Sequence, residues 1–315
     1  MKKIVLINCY FGKYPKYMDM FLKSCVDNPA VDFLFFTDND MDFVASNIKF
    51  VKKTFQEIKG IIQEHFDFKI SLEMPYKLCD YKPVYGYVFQ EYIEGYDYWG
   101  YCDIDLVFGD IRKFLDKVMM DDYDKIYQLG HLTVYKNTED VNTAFLQDKA
   151  EEYKKAFTTE IIAVYDEVYG IQKVFSELGK KVYISRDYAD ITKMRYRFTL
   201  SDFQVPKENN NYPDQVFVRE NGKIYRYYVS EDGSLKKEEF IYIHFQKRKM
   251  EHKCSPNVDY FVTYDGFFEM TEPVTKDHIN QYNRYIRSKE IRNSIEHFIW
   301  RVKRKLDKIK KGEKL

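Results

Sequence analysis

The sequence lacks the glycine-rich phosphate loops of the common nucleotide-binding proteins. No G-x-G-x-x-G follows its first apolar run, no Walker A motif occurs, and Gly100 and Gly109 are isolated. Because the backbone amides of such loops hold phosphates, their absence argues against a dinucleotide site or a P-loop site. Any ligand site in this protein must be built in another way.

Long hydrophobic runs and closely spaced cysteines are also missing. No segment approaches the ~18 consecutive apolar residues of a membrane-spanning helix. The five cysteines are scattered without C-x-x-C spacing, and most lie in apolar segments. This pattern is typical of buried free thiols in a reducing compartment, so we expect a cytoplasmic protein.

Net charge is absent overall but strong locally. The 50 basic and 50 acidic side chains cancel, which argues against bulk nucleic-acid binding. From Arg284 onward, twelve Lys/Arg oppose four Asp/Glu, so this tail carries +8 and the preceding body −8. Apolar residues recur there at helical spacing, which predicts a basic amphipathic helix over residues 284–315. We expect it either to bind an anionic membrane surface at the inner face of the membrane or to pack on its own domain or a partner.

Strand-like and helix-like segments alternate through the first ~110 residues, which predicts a mostly parallel α/β sheet. The strand segments are KIVLINCYF, VDFLFFTDND and NIKFVKK, and the helical ones are residues 16–27, FQEIKGIIQEHF and KPVYGYVFQEYI. Later strand-like runs are divided by Asn221-Gly222 and Asp232-Gly233, both strong hairpin signals. We therefore predict a mixed α/β sheet flanked by helices, with an antiparallel C-terminal section.

The segment YWGYCDIDLVFGDI, residues 98–111, has the composition of a buried strand but contains aspartates. Alternation along a strand would place Asp103 and Asp105 on one face, with α-carbons about 6–7 Å apart. Two such carboxylates repel unless a cation lies between them, and hard oxygen ligands suit Mg²⁺ or Mn²⁺. The alternative is a solvated strand end followed by a helix that Asp110 caps.

Together with a later strand that ends in histidine and basic residues, these features resemble GT-A glycosyltransferases. The pattern is most similar to bacterial enzymes that build capsule, lipopolysaccharide or wall polysaccharides, and to the glycogenin-like galactosyl- and glucosyltransferases. The resemblance covers roughly residues 1–250. It implies that residues 1–283 form a GT-A-like catalytic domain. It also implies a UDP-sugar donor and a glycan or lipid-linked acceptor, with a leaning towards retention of anomeric configuration.

The resemblance implies a Mn²⁺ or Mg²⁺ ion held by Asp103, Asp105 and His244, which would clamp the donor diphosphate. His244 ends an apolar strand in EFIYIHFQKRKM, with Lys247 as a phosphate ligand. In the glycogenin-like group a glycine and a Lys-Pro-Trp follow the histidine, and this sequence departs from that pattern. The alternative for His244 is a strand-end histidine that is hydrogen-bonded in the core.

Further donor-binding residues follow from the same resemblance. Asp38, at the end of the second predicted strand, would contact the base or ribose, and the loop containing Asn8 and Tyr10 would flank the uracil. His131 would contact the transferred sugar. At a predicted helix start, Lys77 and Lys82 suit phosphate or ribose oxygens, and Asp80 would hold these lysines. The alternative is a capped, solvated helix start.

Adjacent acids in AVYDEVYGI are the candidates for catalysis. Asp166 or Glu167 would bind an acceptor hydroxyl or act as a base, whereas the alternative is an ordinary acidic helix end. Two rival functions remain open at this stage. One is a metal-dependent nucleotidyltransferase or phosphoesterase, which would require further acids. The other is a non-catalytic membrane-associated binding protein that uses the basic tail.

Overall fold

The computed structural model describes residues 1–192, 198–201, 211–246, 248–264 and 266–282, together with 291, 295, 296, 298, 299, 302 and 303. Lys247 and most of the predicted helix over residues 284–315 lie outside the described residues. The boundary predicted after residue 283 therefore stays a prediction.

The described strands and helices follow in chain order. The strands are β1 (Ile4–Cys9), β2 (Asp32–Thr37), β3 (Ile48–Lys52), β4 (Tyr98–Cys102), β5 (Leu106–Phe108), β6 (Lys125–Leu129), β7 (Leu132–Lys136), β8 (Val182–Tyr183), β9 (Ala189–Asp190), β10 (Gln215–Glu220), β11 (Lys223–Val229), β12 (Leu235–Phe240), β13 (Tyr242–His244), β14 (Glu251–His252), β15 (Tyr260–Val262) and β16 (Gly266–Glu269). The helices are α1 (Met18–Val26), α2 (Phe55–Glu64), α3 (Tyr85–Val88), α4 (Gln90–Ile93), α5 (Ile111–Met120), α6 (Glu139–Asn142), α7 (Glu152–Thr158), α8 (Ile171–Glu177) and α9 (Lys276–Tyr282), with 3₁₀ helices at Pro75–Val84 and Ala144–Gln147.

The main sheet confirms the predicted mixed α/β architecture. Its strand order is β3-β2-β1-β4-β7-β6-β8. β3, β2, β1 and β4 are parallel, whereas β7 runs antiparallel to both β4 and β6. The chain moves outward from β1 to β3 and then returns to place β4 on the other side of β1. This reversal creates a crevice beyond the carboxyl ends of β1 and β4, where open α/β sheets bind ligands.

Helices cover both faces of the main sheet because the side chains of β1 alternate between two apolar layers. Ile4 and Leu6 belong to a core that also contains side chains of α1 and α5. Val5 and Ile7 belong to the opposite core, together with Ile58 of α2 and parts of the 3₁₀ helix Pro75–Val84. A strand covered on both faces is apolar at nearly every position, which explains the unbroken apolar run of β1.

The segment predicted as one acidic strand is in fact two strands in different sheets. β4 ends at Cys102 and β5 begins at Leu106, in a second sheet of order β5-β13-β9. Asp103 and Asp105 therefore lie in the link between sheets, and the same-face argument from strand alternation is wrong. Aspartate is depleted from strands, and β4 ends here, although the backbone amide of Asp103 still donates to the carbonyl of His131 at 3.0 Å, one residue beyond the last β4–β7 pair. Asp110 caps α5, as the alternative interpretation of this segment predicts, since its carboxylate accepts the Lys113 amide at 3.0 Å.

The antiparallel C-terminal section is confirmed at both predicted turns. β10 pairs with β11 across Asn221-Gly222, and β11 pairs with β12 across the turn that contains Asp232-Gly233. The apolar run ending in His244 is divided at Ile241, where the chain leaves the six-stranded sheet β12-β11-β10-β15-β16-β14 and enters the β5-β13-β9 sheet.

One other local expectation is wrong. KPVYGYVFQEYI is not one helix but the end of a 3₁₀ helix followed by α3 and α4. Pro83 lies inside that 3₁₀ helix and cannot donate a backbone hydrogen bond, which favours a break from α-helical pairing. The segment YQLGHLTVYKN, which contains His131, forms a hairpin in which Gly130 and His131 are the turn between β6 and β7.

Five apolar side chains of the tail are described, and all are exposed. Ile291, Ile295, Phe298, Ile299 and Val302 expose between 41% and 61% of their surface. Among the described residues, no helix has both the length and the apolar character needed to cross a bilayer.

Candidate functional site

A cleft of about 1130 Å³ lies at the crevice between β1 and β4. Asn8 and Tyr10 line it from the end of β1, and Asp103 and Asp105 line it from the end of β4. The opposite wall includes residues 248–253, which follow β13. The cleft slightly exceeds the ~300–1,000 Å³ of typical small-molecule sites, so it has room for more than one small ligand.

Asp103, Asp105 and His244 converge in this region. The Nε2 atom of His244 lies 3.3 Å from Asp105 Oδ1 and 4.0 Å from Asp103 Oδ2, and one ligand atom of each residue lies within 4.8 Å of the others. The pairing of β13 with β5 sets this geometry because it places His244 directly opposite Leu106, one residue after Asp105. Two carboxylates and one imidazole form a donor set that fits a divalent cation such as Mn²⁺ or Mg²⁺.

Asp190 orients the imidazole of His244. Its Oδ1 atom lies 2.8 Å from His244 Nδ1 and also accepts the side-chain amide of Gln246 at 2.9 Å. A proton kept on Nδ1 by Asp190 would leave Nε2 to bind an ion held by the two aspartates, as in the carboxylate–histidine pairs of metal sites. Although burial acts to raise it, the pKa of Asp190 is held well below its usual range, chiefly by the hydrogen bond from His244. Sequence reasoning missed Asp190 because a two-residue strand carries no local signal.

The charge of His244 responds to the same neighbours. Burial acts to lower its pKa, but Asp105 and Asp190 together raise it to about 10. At neutral pH a proton therefore occupies the imidazole between the carboxylates, and a divalent ion must displace it.

Lys82 links the two acidic parts of the site. Its Nζ atom lies 2.6 Å from Asp103 Oδ1 and 3.4 Å from Asp166 Oδ2, and it donates to the carbonyl of Gly130 at 3.0 Å. Burial acts to lower the pKa of Lys82, but the two carboxylates raise it, so the lysine remains charged. The structure thus brings the predicted residues Lys82, Asp103 and Asp166 into one network.

Asp166 and Glu167 pack against the turn between β6 and β7 rather than on an exposed helix end. Burial raises the pKa of Asp166 to about 7, against the opposing effect of Lys82. Glu167 accepts the backbone amide of Gly130 at 3.1 Å, and burial raises its pKa as well. A carboxyl group whose pKa lies near neutrality suits general acid–base chemistry.

His131 lies beside the metal-ligand candidates, stacked on His244 with ring centroids 4.6 Å apart. Its Nδ1 atom lies 2.5 Å from the hydroxyl of Tyr242, and Nε2 has no hydrogen-bond partner among the described residues. Burial and the neighbouring His244 lower its pKa to about 4, so the ring is neutral.

The chain can be assigned by comparison with known sequences. A profile described as "Family of unknown function (DUF6625)" matches residues 6–271. The chain belongs to this family. None of the curated proteins is significantly similar to this DUF6625 chain.

Solved structures show distant similarity to this DUF6625 protein. The galactosyltransferase LgtC in complex with donor and acceptor sugar analogs is 13% identical, with a TM-score of 0.36, over 59% of this chain and 75% of LgtC. An active-site mutant of LgtC is 14% identical, with a TM-score of 0.36, over 59% of this chain and 74% of that one. Mouse xyloside xylosyltransferase 1 in its apo form is 7% identical, with a TM-score of 0.41, and the match covers 61% of this chain and 89% of that one.

The remaining predicted residues of the DUF6625 protein lie in different surroundings. Asn8 donates to the Cys102 sulfur at 3.1 Å, and Tyr10 stacks on Tyr14 at the cleft, with ring centroids 5.0 Å apart. Asp38 accepts the amide of Gly12 at 3.1 Å and so braces the loop after β1.

Lys77 and Asp80 do not face the cleft. Both side chains are buried, with 2% and 0% exposed, and they pair with each other at 2.7 Å. Their remaining hydrogen bonds go to the backbone between residues 156 and 165. Lys77 and Asp80 are therefore not among the residues that line the cleft.

Proposed function

We propose that this protein is a metal-dependent glycosyltransferase that moves a hexose from a UDP-sugar to a glycan or lipid-linked acceptor. The observation that carries the proposal is the meeting of Asp103, Asp105 and His244 at the cleft beyond β1 and β4. The resemblance of the D-x-D and the strand-end histidine to GT-A enzymes supports it, and synthesis of bacterial surface polysaccharide is the role that this resemblance favours.

In this proposal Asp103, Asp105 and His244 hold Mn²⁺ or Mg²⁺. The ion supplies electrostatic stabilisation of the charge that develops on the departing nucleoside diphosphate. Asn8 and Tyr10, at the end of the neighbouring parallel strand, flank the uracil, and Asp38 holds the loop that carries Tyr10. Lys247 remains a candidate phosphate ligand outside the described residues.

Lys82 argues for one ion rather than two. Its ammonium group lies between Asp103 and Asp166, so a positive charge of the chain already neutralises the space between these carboxylates. A nucleotidyltransferase or phosphoesterase with two metals would need that space for its second ion. We therefore favour glycosyl transfer over this rival.

Asp166 and Glu167 have the properties needed on the acceptor side. With a pKa of about 7, Asp166 is partly ionised at neutral pH and could accept a proton from an acceptor hydroxyl. Glu167 is fixed through the Gly130 amide and would bind a sugar or acceptor hydroxyl. His131 is neutral, and its Nε2 has no hydrogen-bond partner in the described part of the chain, so it is the proposed contact to the transferred sugar.

The first experiment measures UDP binding by thermal melting and calorimetry with Mn²⁺ and after EDTA. UDP should raise the melting temperature in the presence of Mn²⁺ and have little effect after EDTA, because ligands stabilise the state that binds them. Asp103→Asn, Asp105→Asn and His244→Ala should each weaken this effect while leaving the unliganded protein folded. Stabilisation by ATP or NAD but not by UDP would overturn the proposal.

A screen of UDP-sugars for Mn²⁺-dependent hydrolysis then identifies the donor. Gly60→Ala is a suitable control variant, since a Cβ at Gly60 meets no atom of the described residues within 4 Å. Hydrolysis should be preserved in this variant and lost in Asp105→Asn. Equal turnover of all variants would show that the three ligand candidates do not hold the reactive ion.

A further inference from the structure

A buried ion pair, Lys77–Asp80, lies on the 3₁₀ helix Pro75–Val84, behind the described lining of the cleft, and a carboxylate oxygen of Asp80 lies within 4.8 Å of one of Asp166. Lys77 Nζ is 2.7 Å from Asp80 Oδ2, and it also donates to the carbonyls of Ala156 at 2.9 Å and Ile161 at 2.6 Å. All three hydrogen atoms of the Lys77 ammonium group therefore take part in hydrogen bonds. Burying two charges costs free energy that an apolar pair would not, so a buried pair of this kind calls for a specific structural reason.

The contacts of Asp80 show what that reason is. Its carboxylate accepts the backbone amides of Ala163 and Tyr165, each at 2.9 Å. These amides lie on either side of Val164, whose φ is +56°. A β-branched residue in the left-handed region is strained and persists only when its surroundings impose the conformation. Asp80 imposes it here, because it fixes both neighbours of Val164.

The two candidate catalytic acids, Asp166 and Glu167, follow two and three residues after Val164. Asp166 reaches Lys82, and Glu167 accepts the Gly130 amide. Lys82 lies on the same 3₁₀ helix as the buried pair. One short helix therefore holds the loop over residues 161–165 through its buried side and contacts Asp103 and Asp166 through its cleft side.

We propose that Lys77 and Asp80 are positioning residues, which lock the loop over residues 156–167 so that Asp166 and Glu167 lie against Lys82 and Gly130. The catalytic consequence rests on the proposed glycosyl transfer, whereas the locking of the loop does not. Neither residue binds donor, so their loss affects turnover and loop order rather than donor affinity.

The experiment compares Lys77→Met, Asp80→Asn and the double variant by hydrogen exchange, calorimetry and kinetics. Exchange over residues 156–167 should accelerate at least tenfold in each, because the hydrogen bonds to the Ala163 and Tyr165 amides or to the Ile161 carbonyl are weakened. UDP affinity with Mn²⁺ should stay within about twofold, and KM for the donor should hardly change. The value of kcat should fall about 100-fold, since misplacement by ~1 Å can cost that much.

Two features keep the test decisive. The double variant leaves no unpaired buried charge, so it guards against unfolding of either single variant. Arg226→Met removes a buried partner of Glu238 in the β11–β12 pair and is the matched control. It should destabilise the protein without changing exchange over residues 156–167 or the value of kcat.

The outcomes separate the two proposals. Hydrogen-exchange rates over residues 156–167 that equal those of the wild type in all three variants would overturn the positioning role. A loss of UDP affinity above tenfold would return Lys77 and Asp80 to the donor site and overturn it as well. If the wild-type protein neither binds UDP nor hydrolyses any UDP-sugar, glycosyl transfer fails, and the exchange data alone still decide whether the pair holds the loop.

Discussion

Lys82 Nζ lies 2.6 Å from Asp103 Oδ1 and 3.4 Å from Asp166 Oδ2, so one ammonium group joins the candidate metal site to the candidate catalytic acid. Its charge lowers the pKa of Asp166 and partly offsets the effect of burial. This arrangement makes the protonation of Asp166 depend on a residue that is also next to a proposed metal ligand.

The variant Lys82→Met is expected to move the acidic limb of the rate profile to higher pH. Without the lysine, the pKa of Asp166 should rise above its present value of about 7, so the ionised form is lost at neutral pH. The measurement is kcat against pH from 6 to 9 for both proteins. An unchanged limb would show that Asp166 is not the group that titrates.

The variant Asp190→Ala is expected to weaken Mn²⁺ affinity about 10- to 100-fold, which is the usual effect of losing a partner that orients a ligand. Asp190→Asn should weaken Mn²⁺ affinity less, because the amide oxygen of asparagine can still accept a hydrogen bond from His244 Nδ1. Calorimetric titration with Mn²⁺ in the absence of nucleotide tests both. Equal affinities for wild type and Asp190→Ala would mean that the ion does not use His244.

The variant Gly130→Ala is expected to displace the candidate acids. A Cβ at this position would overlap Asp166 Oδ2 and lie 3.2 Å from Glu167 Oε1. Turnover should fall at least tenfold, whereas Mn²⁺ binding should persist. Gly60→Ala, in the middle of α2, is the matched control and should stabilise the protein by roughly 0.5–1 kcal/mol. Normal turnover of Gly130→Ala would remove Asp166 and Glu167 from the mechanism.

The fully buried Lys125 predicts a pH dependence of stability. Burial lowers its pKa from 10.5 to about 7, although Glu167 and Asp166 oppose this effect. Between pH 7 and 10.5 the unfolded chain binds a proton that the folded protein does not, so this residue makes stability rise with pH. Its contribution to the unfolding free energy should increase by about 2 kcal/mol between pH 7 and 9, at ~1.4 kcal/mol per pKa unit.

Urea titrations of wild type and Lys125→Met at several pH values provide the measurement. Lys125→Met should be the more stable protein at pH 7, and the difference should shrink as the pH rises. A difference that does not vary with pH would show that Lys125 is charged in the folded state throughout this range.

Residues 284–315 are expected to carry membrane affinity and little of the chemistry. Each basic residue near an anionic surface contributes about 1 kcal/mol, and the described apolar side chains of this tail are exposed. A protein ending at Asn283 should stay folded, still hydrolyse a UDP-sugar, and lose binding to vesicles containing phosphatidylserine. The binding of the full chain should weaken with salt. If the shortened protein is insoluble and the full chain does not bind such vesicles, this helix belongs to the core instead.

Local patterns in the sequence were sufficient to predict much of the fold. The apolar runs of β1 and β2 and the helical spacing of α2 depend on neighbouring residues alone, and so do the turns at Asn221-Gly222 and Asp232-Gly233. The acidic pair Asp103 and Asp105 stood out for the same reason, because carboxylates are rare beside a buried strand.

Only the tertiary structure decided what these residues contact. Asp190 contacts His244, and Lys77 contacts the carbonyl of Ile161, because segments far apart in the sequence pack together. No local pattern encodes which distant strand or loop will pack against a given segment. Long-range pairing also divides the acidic segment into β4 and β5, since β5 pairs with β13, about 135 residues later in the chain. Local periodicity determines which elements form, whereas long-range packing determines which polar groups share a buried space and therefore which chemistry the site can perform.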